Sequence, residues 1–556
     1  MNNKDTKETN VLAQASILMV AGIITRIIGV LYRSPLTSVI GDEGNGYYGI
    51  AVNIYTMILL VSSYSIPMAV SKVVSSKLAV HQYRNAHKVF KCALMYVLVV
   101  GGIASLITFF GASILIPSNQ PKAIPVLRIL APTIFFSGFL GVFRGYFQAH
   151  GTMVPTSLSQ IIEQVANAVI SIGAALLFIH IFAGGDADKV PVFGAMGSAV
   201  GIGAGVITGL LFMLFIYSCN KKYFRKEIQK DSSGVDSSYR DIFKIIFLMV
   251  TPVILSTFVY NISTVVDQTL FMDVMGFKKM NSRIAASLYG VFQTKYTVLI
   301  NMPVAIANSM STAMIPAISS SYALENYKKC NTHVKEAIHF TMIISIPAAI
   351  GMGALAYPIM EVLFPQKATI DLAVSILRVG CISIIFYALS TVSNGVLQGI
   401  GKVNIPLRNA AIALFLHVVV LAPLLYFTDL DLYALVLATM FYAFLMCLLN
   451  NLSVRKYLGY RQEMKKTFII PVICSVIMGI LCYIFYQGIY LILSGVLGSF
   501  IHLRILVFIC LMISVVFAVT VYFVLELKLK GITEAELRKF PKGHLLVRMA
   551  KKSNLL

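Results

Sequence analysis

The sequence predicts an all-α polytopic membrane protein with about fourteen transmembrane helices, set out as two pseudo-symmetric six-helix lobes followed by a C-terminal helix pair. Three observations lead there. The 556 residues are 58% hydrophobic and only 12% charged, with a mean hydropathy of +0.82, and a soluble fold of this length has no interior large enough for so much apolar surface. Apolar runs of ~20 residues, the length of helix that crosses a bilayer core, recur along the whole chain. The loops between them are too short for a soluble domain. Motifs also recur at one fixed spacing, which points to an internal duplication. The organisation expected is a first lobe at 1–220 (spans 1–6), a cytoplasmic linker at 221–243, a second lobe at 244–454 (spans 7–12), and 455–556 holding spans 13 and 14 with a basic cytoplasmic tail.

The net charge of +22 would suggest a nucleic-acid partner in a soluble chain. Here basic residues crowd alternate loops, at 77–91, 221–244, 328–335, 455–466 and 528–552, while acidic clusters occupy loops between them: Asp42 and Glu43, Asp186 and Asp188, Asp429 and Asp431. This is the positive-inside pattern; it puts both termini in the cytoplasm and leaves nothing for nucleic acid to explain. The polar start MNNKDTKETN leads into an apolar run with no cleavage-site pattern, so that run reads as a retained helix. The eight cysteines lie mostly in or beside apolar runs without any Cys-x-x-Cys, and read as packing residues rather than disulfides or metal ligands.

In chain order, span 1 covers 11–32, ended by Pro35, and Gly41–Gly46 makes an outer turn. Span 2 runs 47–74 with a kink or hinge at Pro67. A basic amphipathic stretch, 77–91, precedes spans 3 and 4 at 92–116 and 125–149 and spans 5 and 6 at 157–183 and 192–219. Glycines 194, 197, 201, 203, 205 and 209 line span 6; no strand or Lys-Ser/Thr accompanies them, so they mark close helix packing and not a phosphate loop. After the polar loop at 221–244 come span 7 at 245–271 and span 8 at 284–318, the latter with Pro303 and Pro316. Spans 9 to 14 follow at 337–363, 371–400, 409–427, 432–452, 467–493 and 503–525.

The duplication rests on an offset of 250 residues. Leu127-Arg128 recurs as Leu377-Arg378, Ile134 and Phe136 as Ile384 and Phe386, and Gly145-x-x-Gln148-x-x-Gly151 as Gly395-x-x-Gln398-x-x-Gly401. These segments are spans 4 and 10, an even number of spans apart, so the repeat is parallel rather than inverted. A shorter echo pairs Tyr48-Gly49 and Tyr55-Thr56 of span 2 with Tyr289-Gly290 and Tyr296-Thr297 of span 8.

Charged residues inside apolar runs are the candidates for function. Arg26 sits near the middle of span 1, where an arginine costs roughly 2.5–3.5 kcal/mol on insertion scales, so it is expected to face a hydrated cavity and an anionic headgroup. Arg33, at the end of the run, and Lys295, in span 8, are the further cations expected to hold a pyrophosphate. Asp267 in span 7 is the main intramembrane acid, a partner for a cation or a coupling ion. Asn53, Gln293, Asn301 and Asn308 give spans 2 and 8 a polar side, which lines a cavity or bonds helix to helix. Glu163, in span 5 near the cytoplasmic end, reads as interfacial or packing and as a secondary cavity candidate; Arg144 faces phosphates or caps the glycine turn. No metal-ligand spacing or nucleophile–base set occurs, so neither an enzyme nor a cofactor is expected; the coupling ion is left open.

Thr25-Arg26-Ile-Ile-Gly29 with Arg33, Gly46-Tyr-Tyr-Gly49, Tyr289-Gly-Val-Phe-Gln-Thr-Lys-Tyr296, Met302-Pro303 through Ile315-Pro-Ala-Ile-Ser319, and the Gly395 to Gly401 motif resemble the multidrug/oligosaccharidyl-lipid/polysaccharide exporter superfamily. Within it the chain is most similar to MurJ-type lipid II flippases of the branch that includes YtgP and SpoVB. The resemblance spans essentially the whole chain. It implies a V-shaped pair of lobes, a cationic central cavity lined by spans 1, 2, 7 and 8, and a groove at spans 13 and 14 for an undecaprenyl tail. It places the family's span 1 arginines at Arg26 and Arg33 and its span 8 arginine at Lys295; the span 2 arginine has no counterpart, since 55–65 holds no cation.

The function expected is translocation of an undecaprenyl-pyrophosphate-linked sugar, first of all the peptidoglycan precursor, across a bacterial plasma membrane. The partners expected are the lipid-linked glycan, the membrane and cell-envelope synthesis proteins. A flippase for capsule or teichoic precursors, a drug/cation antiporter of the same superfamily, and a non-transporting scaffold are the alternatives.

Overall fold

Hydrocarbon supplies no hydrogen-bond partner, so a chain this apolar must satisfy its backbone within helices. The computed structural model describes residues 18, 20–64, 66–231, 233, 238–497, 502–538 and 543–552; within these, the side chains of 64, 249–257, 259–260, 312–313, 497, 535, 543, 545–546 and 549–550 lie outside the description. Among the described residues every regular element is helical.

Packing divides the chain into two compact units, 1–294 and 295–556, with the divide inside the π-helical stretch Val291–Tyr296. The first unit holds α1 (Val20–Leu31), α2 (Arg33–Leu59), α3 (Ile66–Ala79), α4 (Tyr83–Tyr96), α5 (Gly102–Phe110), α6 (Ala112–Leu115), α7 (Ile124–Ala149), α8 (Val154–Phe178), α9 (Val190–Gln229), α10 (Tyr239–Phe277) and α11 (Ser282–Gly290). The second holds α12 (Thr297–Ala323), α13 (Tyr327–Ala354), α14 (Ala356–Leu363), α15 (Ile370–Gly380), α16 (Ser383–Gly399), α17 (Asn404–Phe427), α18 (Leu432–Leu458), α19 (Ile470–Leu497), α20 (Leu503–Lys528), α21 (Glu534–Leu537) and α22 (Gly543–Lys552).

Among the described residues, eleven helical segments are long and apolar enough to cross a membrane, and twelve if α15 and α16, bent by 47°, count as one span. The expectation of about fourteen is not confirmed. Residues 11–17 and 19 of the first expected span lie outside the described residues, and part of α10 is described without side chains.

Two boundaries differ from the sequence reading. Pro35 does not end the first helix; it sits in the first turn of α2, where its missing N–H is not needed. The break comes at Gly41, with φ 69° and ψ 179°, a conformation closed to residues with a Cβ. Helix resumes at once, so 42–46 is helical rather than an outer turn. Asn45 Nδ2 donates to the Gly41 carbonyl at 2.9 Å and to Thr37 Oγ1 at 3.0 Å, which partners the carbonyl freed by the break. Likewise the irregularity expected at Pro67 lies one turn earlier, as the π-helical Leu60–Tyr64: without an N–H, Pro67 cannot bond back to that turn.

Loops assigned to one side by their charge do meet. On one face of the first unit, Arg283 Nε lies 3.1 Å from Glu43 and Arg283 Nη1 lies 2.7 Å from Asp188, while Lys122 approaches Glu43 at 3.8 Å. The opposite face brings Asp231 to the start of α4, where its carboxylate accepts from the Arg84 amide at 2.7 Å. The Ser233 hydroxyl and that amide hold the Asp231 carboxyl below the usual carboxylate range.

The 250-residue repeat occupies equivalent places in the two units. Leu127 and Leu377 are fully buried, as are Ile134 and Ile384, whereas Arg128 and Arg378 are exposed. The helices also end alike. Gly151 (φ 76°) donates to Gln148 and Thr152 to Phe147; Gly401 (φ 77°) donates to Gln398 and Lys402 to Leu397. This closure needs glycine at the left-handed position, which explains why both copies keep it.

Glycines set the helix spacing elsewhere. In α9, Gly197, Gly201 and Gly205 lie against Ala174, Ser171 and Glu163 of α8, as the small-residue pattern predicts. Between α2 and α11, a Cβ at Gly46 would fall on the Ala286 carbonyl and one at Gly290 on the Asp42 carbonyl. Gly46→Ala and Gly290→Ala should each destabilise the protein by about 1–3 kcal/mol through overpacking. Gly173→Ala, with no atom within 4 Å of the added carbon, should not. Melting of the three variants in detergent checks this.

Candidate functional site

Two arginines open the site. Arg26 on α1 is exposed and makes no ion pair among the described residues. Backbone bonds from Tyr32 to Ile28 and from Leu36 to Tyr32 carry the helix from α1 into α2, so Arg33 follows Arg26 on nearly the same face, about 20° round after seven residues. Arg33 is half-buried, within electrostatic reach of the Tyr48 hydroxyl, which itself pairs with Tyr32. The helix is seated by Tyr32, Leu36 and Ile40 against Ala168 and Ala175 of α8.

A buried polar seam joins α2, α10 and the start of span 8. Asn53 Nδ2 donates to Gln268 Oε1 at 2.9 Å and to the Tyr289 hydroxyl oxygen at 2.7 Å; Gln293 Nε2 donates to Asn53 Oδ1 at 2.8 Å. Gln268 Nε2 in turn reaches the Ile50 carbonyl at 3.3 Å. Gln268 and Tyr289 are wholly buried and Asn53 nearly so. Asp267, 4% exposed, adds a negative charge close enough to act on Tyr289. One acceptor, Gln293 Oε1, is buried with no partner among the described residues. The seam therefore ties α2, α10 and the start of span 8 together within the first unit.

Glu163 belongs elsewhere in the same unit. It accepts from Arg144 Nη2 at 2.7 Å, and Arg144 Nε donates to Ser159 Oγ at 2.8 Å. The pair lies on the wall of a cavity of about 570 Å³ that is also lined by Lys72, Ser137, Gln148 and Gln160. The Tyr55 hydroxyl meets Ser137 and feels the Glu163 charge.

In the second unit Lys295 is fully buried and donates from Nζ to Thr369 Oγ1, the residue before α15, at 2.8 Å. Asn301 and Asn308 are exposed on α12.

Of the residues singled out from sequence, the structure brings Asn53, Gln293 and Asp267 into one neighbourhood and sets Glu163 apart from it with Arg144. Gln268 was missed. Its signal was present, since it follows Asp267 inside an apolar run, but a single amide there carries no geometry. Tyr289 appeared only as a repeat residue, and nothing in the spacing of Arg144 and Glu163 showed that they pair.

The sequence model for the lipid II flippase MurJ family matches residues 86–508. The chain belongs to that family. Lipid II flippase MurJ of Bacillus subtilis (strain 168) is 25% identical over 478 residues, covering 84% of this chain and 86% of that protein. Stage V sporulation protein B of the same strain is 24% identical over 472 residues, covering 83% and 87%. A solved lipid II flippase MurJ in an inward closed conformation superposes with a TM-score of 0.64 at 16% identity, over 92% of this chain and 97% of that one. An inward-facing multidrug resistance MATE family transporter of the MOP superfamily gives the same TM-score of 0.64 at 16% identity, over 82% and 100%. This member of the MurJ family is thus a multi-pass membrane protein with the MOP fold, in a family of lipid-linked flippases rather than catalysts. The matched region begins after Arg26, Arg33 and Asn53.

Removing Asn53 takes a hydrogen bond from each of three partners and leaves the Gln293 amide donor without its acceptor. Asn53→Ala should cost about 1–3 kcal/mol, and Asn53→Asp, which keeps an acceptor for Gln293 but loses the donor to Gln268, should recover only part of it. Thermal unfolding in detergent measures both.

Proposed function

We propose that this MurJ-family protein carries an undecaprenyl-pyrophosphate-linked sugar, the peptidoglycan precursor lipid II first of all, from the cytoplasmic to the outer leaflet by alternating access. Arg26, Arg33 and Lys295 are the groups assigned to the pyrophosphate; Asp267, Asn53, Gln293 and Glu163 are assigned polar-lining or ion-coupling roles. The observation that carries the reading is the exposed Arg26, with no ion pair among the described residues, two turns before Arg33 on one face of an apolar helix. Guanidinium groups bind the oxygens of a diphosphate in pairs, and their placement inside a hydrophobic segment is expensive without such a partner. The lobes at 1–220 and 244–454, with 455–556 appended and both termini cytoplasmic, are part of the same proposal, supported by the basic alternate loops. No nucleotide-binding motif is present, so gradients drive the cycle; a membrane potential supplies ~2.3 kcal/mol per charge per 100 mV.

Arg26→Glu should fold normally and slow lipid translocation in proteoliposomes by about tenfold or more, since it replaces an attraction by a repulsion. Wild-type rates in that variant would end the proposal. A second reading is favoured by the near-equal similarity to Stage V sporulation protein B, 24% against 25%: a flippase for a different lipid-linked glycan. Depletion of a cell's lipid II flippase separates the two. Rescue by this chain supports lipid II, and failure to rescue with intact membrane insertion supports the other glycan.

A further inference from the structure

The cavity of about 570 Å³ in the first unit is lined by none of the residues assigned to the pyrophosphate. Its size is that of a small-molecule site. Its walls come from the end of α2, from α3, and from α7 and α8. They present hydroxyls (Ser63, Ser137, Thr156), carboxamides (Gln148, Gln160) and the Arg144–Glu163 pair. Leu59, Pro67, Met68 and Leu140 complete the wall, so a few polar groups converge on a largely apolar lining, the composition usual for a ligand site.

The second unit shows that the scaffold does not require it. Helices α8 and α17 begin at Val154 and Asn404, the same 250 residues apart as the rest of the repeat. At that offset Arg144 becomes Asn394, which only accepts a hydrogen bond from Gln398 Nε2 at 3.0 Å. Gln160 and Glu163 become Ala410 and Ala413, both 0% exposed. The equivalent pair of helices thus closes with buried alanines and, among the described residues, no ion pair at these positions. The charged, hydroxyl-lined cavity is an addition to one unit rather than a consequence of the fold.

Its chemistry selects a ligand class. The Arg144 charge is already matched by Glu163 at 2.7 Å, which leaves an anion only the exposed Lys72 of the wall, and a lone cation meets Arg144 and Lys72. A polyhydroxylated ligand can use every group present: its hydroxyls donate to the carboxylate and carboxamide oxygens and accept from the guanidinium and carboxamide nitrogens. We infer that this cavity is a subsite for the sugar of a lipid-linked glycan, separate from the arginines assigned to its pyrophosphate. The inference rests on the reading that the chain carries such a lipid. It assigns Arg144, Gln160 and Glu163 to sugar recognition.

The test compares two probes, undecaprenyl pyrophosphate and an undecaprenyl-pyrophosphate-linked disaccharide, by native mass spectrometry of the full-length protein. Arg144→Asn with Glu163→Ala installs the arrangement the second unit already tolerates and leaves no buried charge unpaired. Ser137→Leu fills the cavity without touching a charge. Each should weaken binding of the disaccharide lipid about tenfold while undecaprenyl pyrophosphate stays within about twofold. Equal weakening for both probes, or no weakening for either, overturns the inference. Arg26→Ala is measured alongside and should weaken both probes. If it weakens neither while the cavity variants still discriminate, the pyrophosphate assignment fails and the sugar subsite stands.

Discussion

A polar atom inside hydrocarbon must find its partner in the protein, and most of this structure follows from that constraint. It makes every regular element among the described residues a helix. It explains why Asn45 bonds back to the carbonyl exposed at Gly41, and why an irregular turn at 60–64 precedes Pro67. It also explains the seam. Asn53, Gln268, Tyr289 and Gln293 are each costly alone in an apolar bundle, and together they satisfy nearly all of one another's groups. The exceptions gain meaning from the same rule: Arg26, with no ion pair among the described residues, and the open acceptor of Gln293 are where a ligand's chemistry would be felt.

Close packing is the second theme. Hydrophobic association gives little between helices already in lipid, so contact depends on how near the backbones can come. Glycine at 46 and 290 brings α2 and α11 into backbone contact, and glycine at 197, 201 and 205 does the same for α8 and α9. These contacts lie in the first unit, which also holds the two polar features, the seam on α2 and the cavity at that helix's C-terminal end. A transporter needs rigid bodies with localised points of bending. Gly41 and the widened turn at 60–64 interrupt the regular helix on either side of the stretch that carries Asn53.

The duplicated architecture separates what the scaffold needs from what has been added to it. Buried Leu127 and Leu377 and the glycine-closed ends at Gly151 and Gly401 are shared because packing and backbone geometry demand them in both copies. Arg144 and Glu163 have no such counterpart. Differences between copies of one fold are therefore better guides to function here than the shared motifs, which first drew attention to the repeat.

Read alone, the chain established its membrane class, the charge alternation of its loops and its internal repeat, because these are properties of composition and spacing that survive without coordinates. It also marked Arg26, Arg33, Asp267 and Lys295 as unusual, since a charge in an apolar run is visible from its neighbours in sequence. It could not tell that Asn53 meets Gln293 across 240 positions, that Glu163 pairs with Arg144, or that Gly41 rather than Pro35 breaks the first helix. Those outcomes depend on which helix faces which and at what register. Apolar helices of similar composition leave that choice to side-chain geometry, so only the packed bundle resolves it.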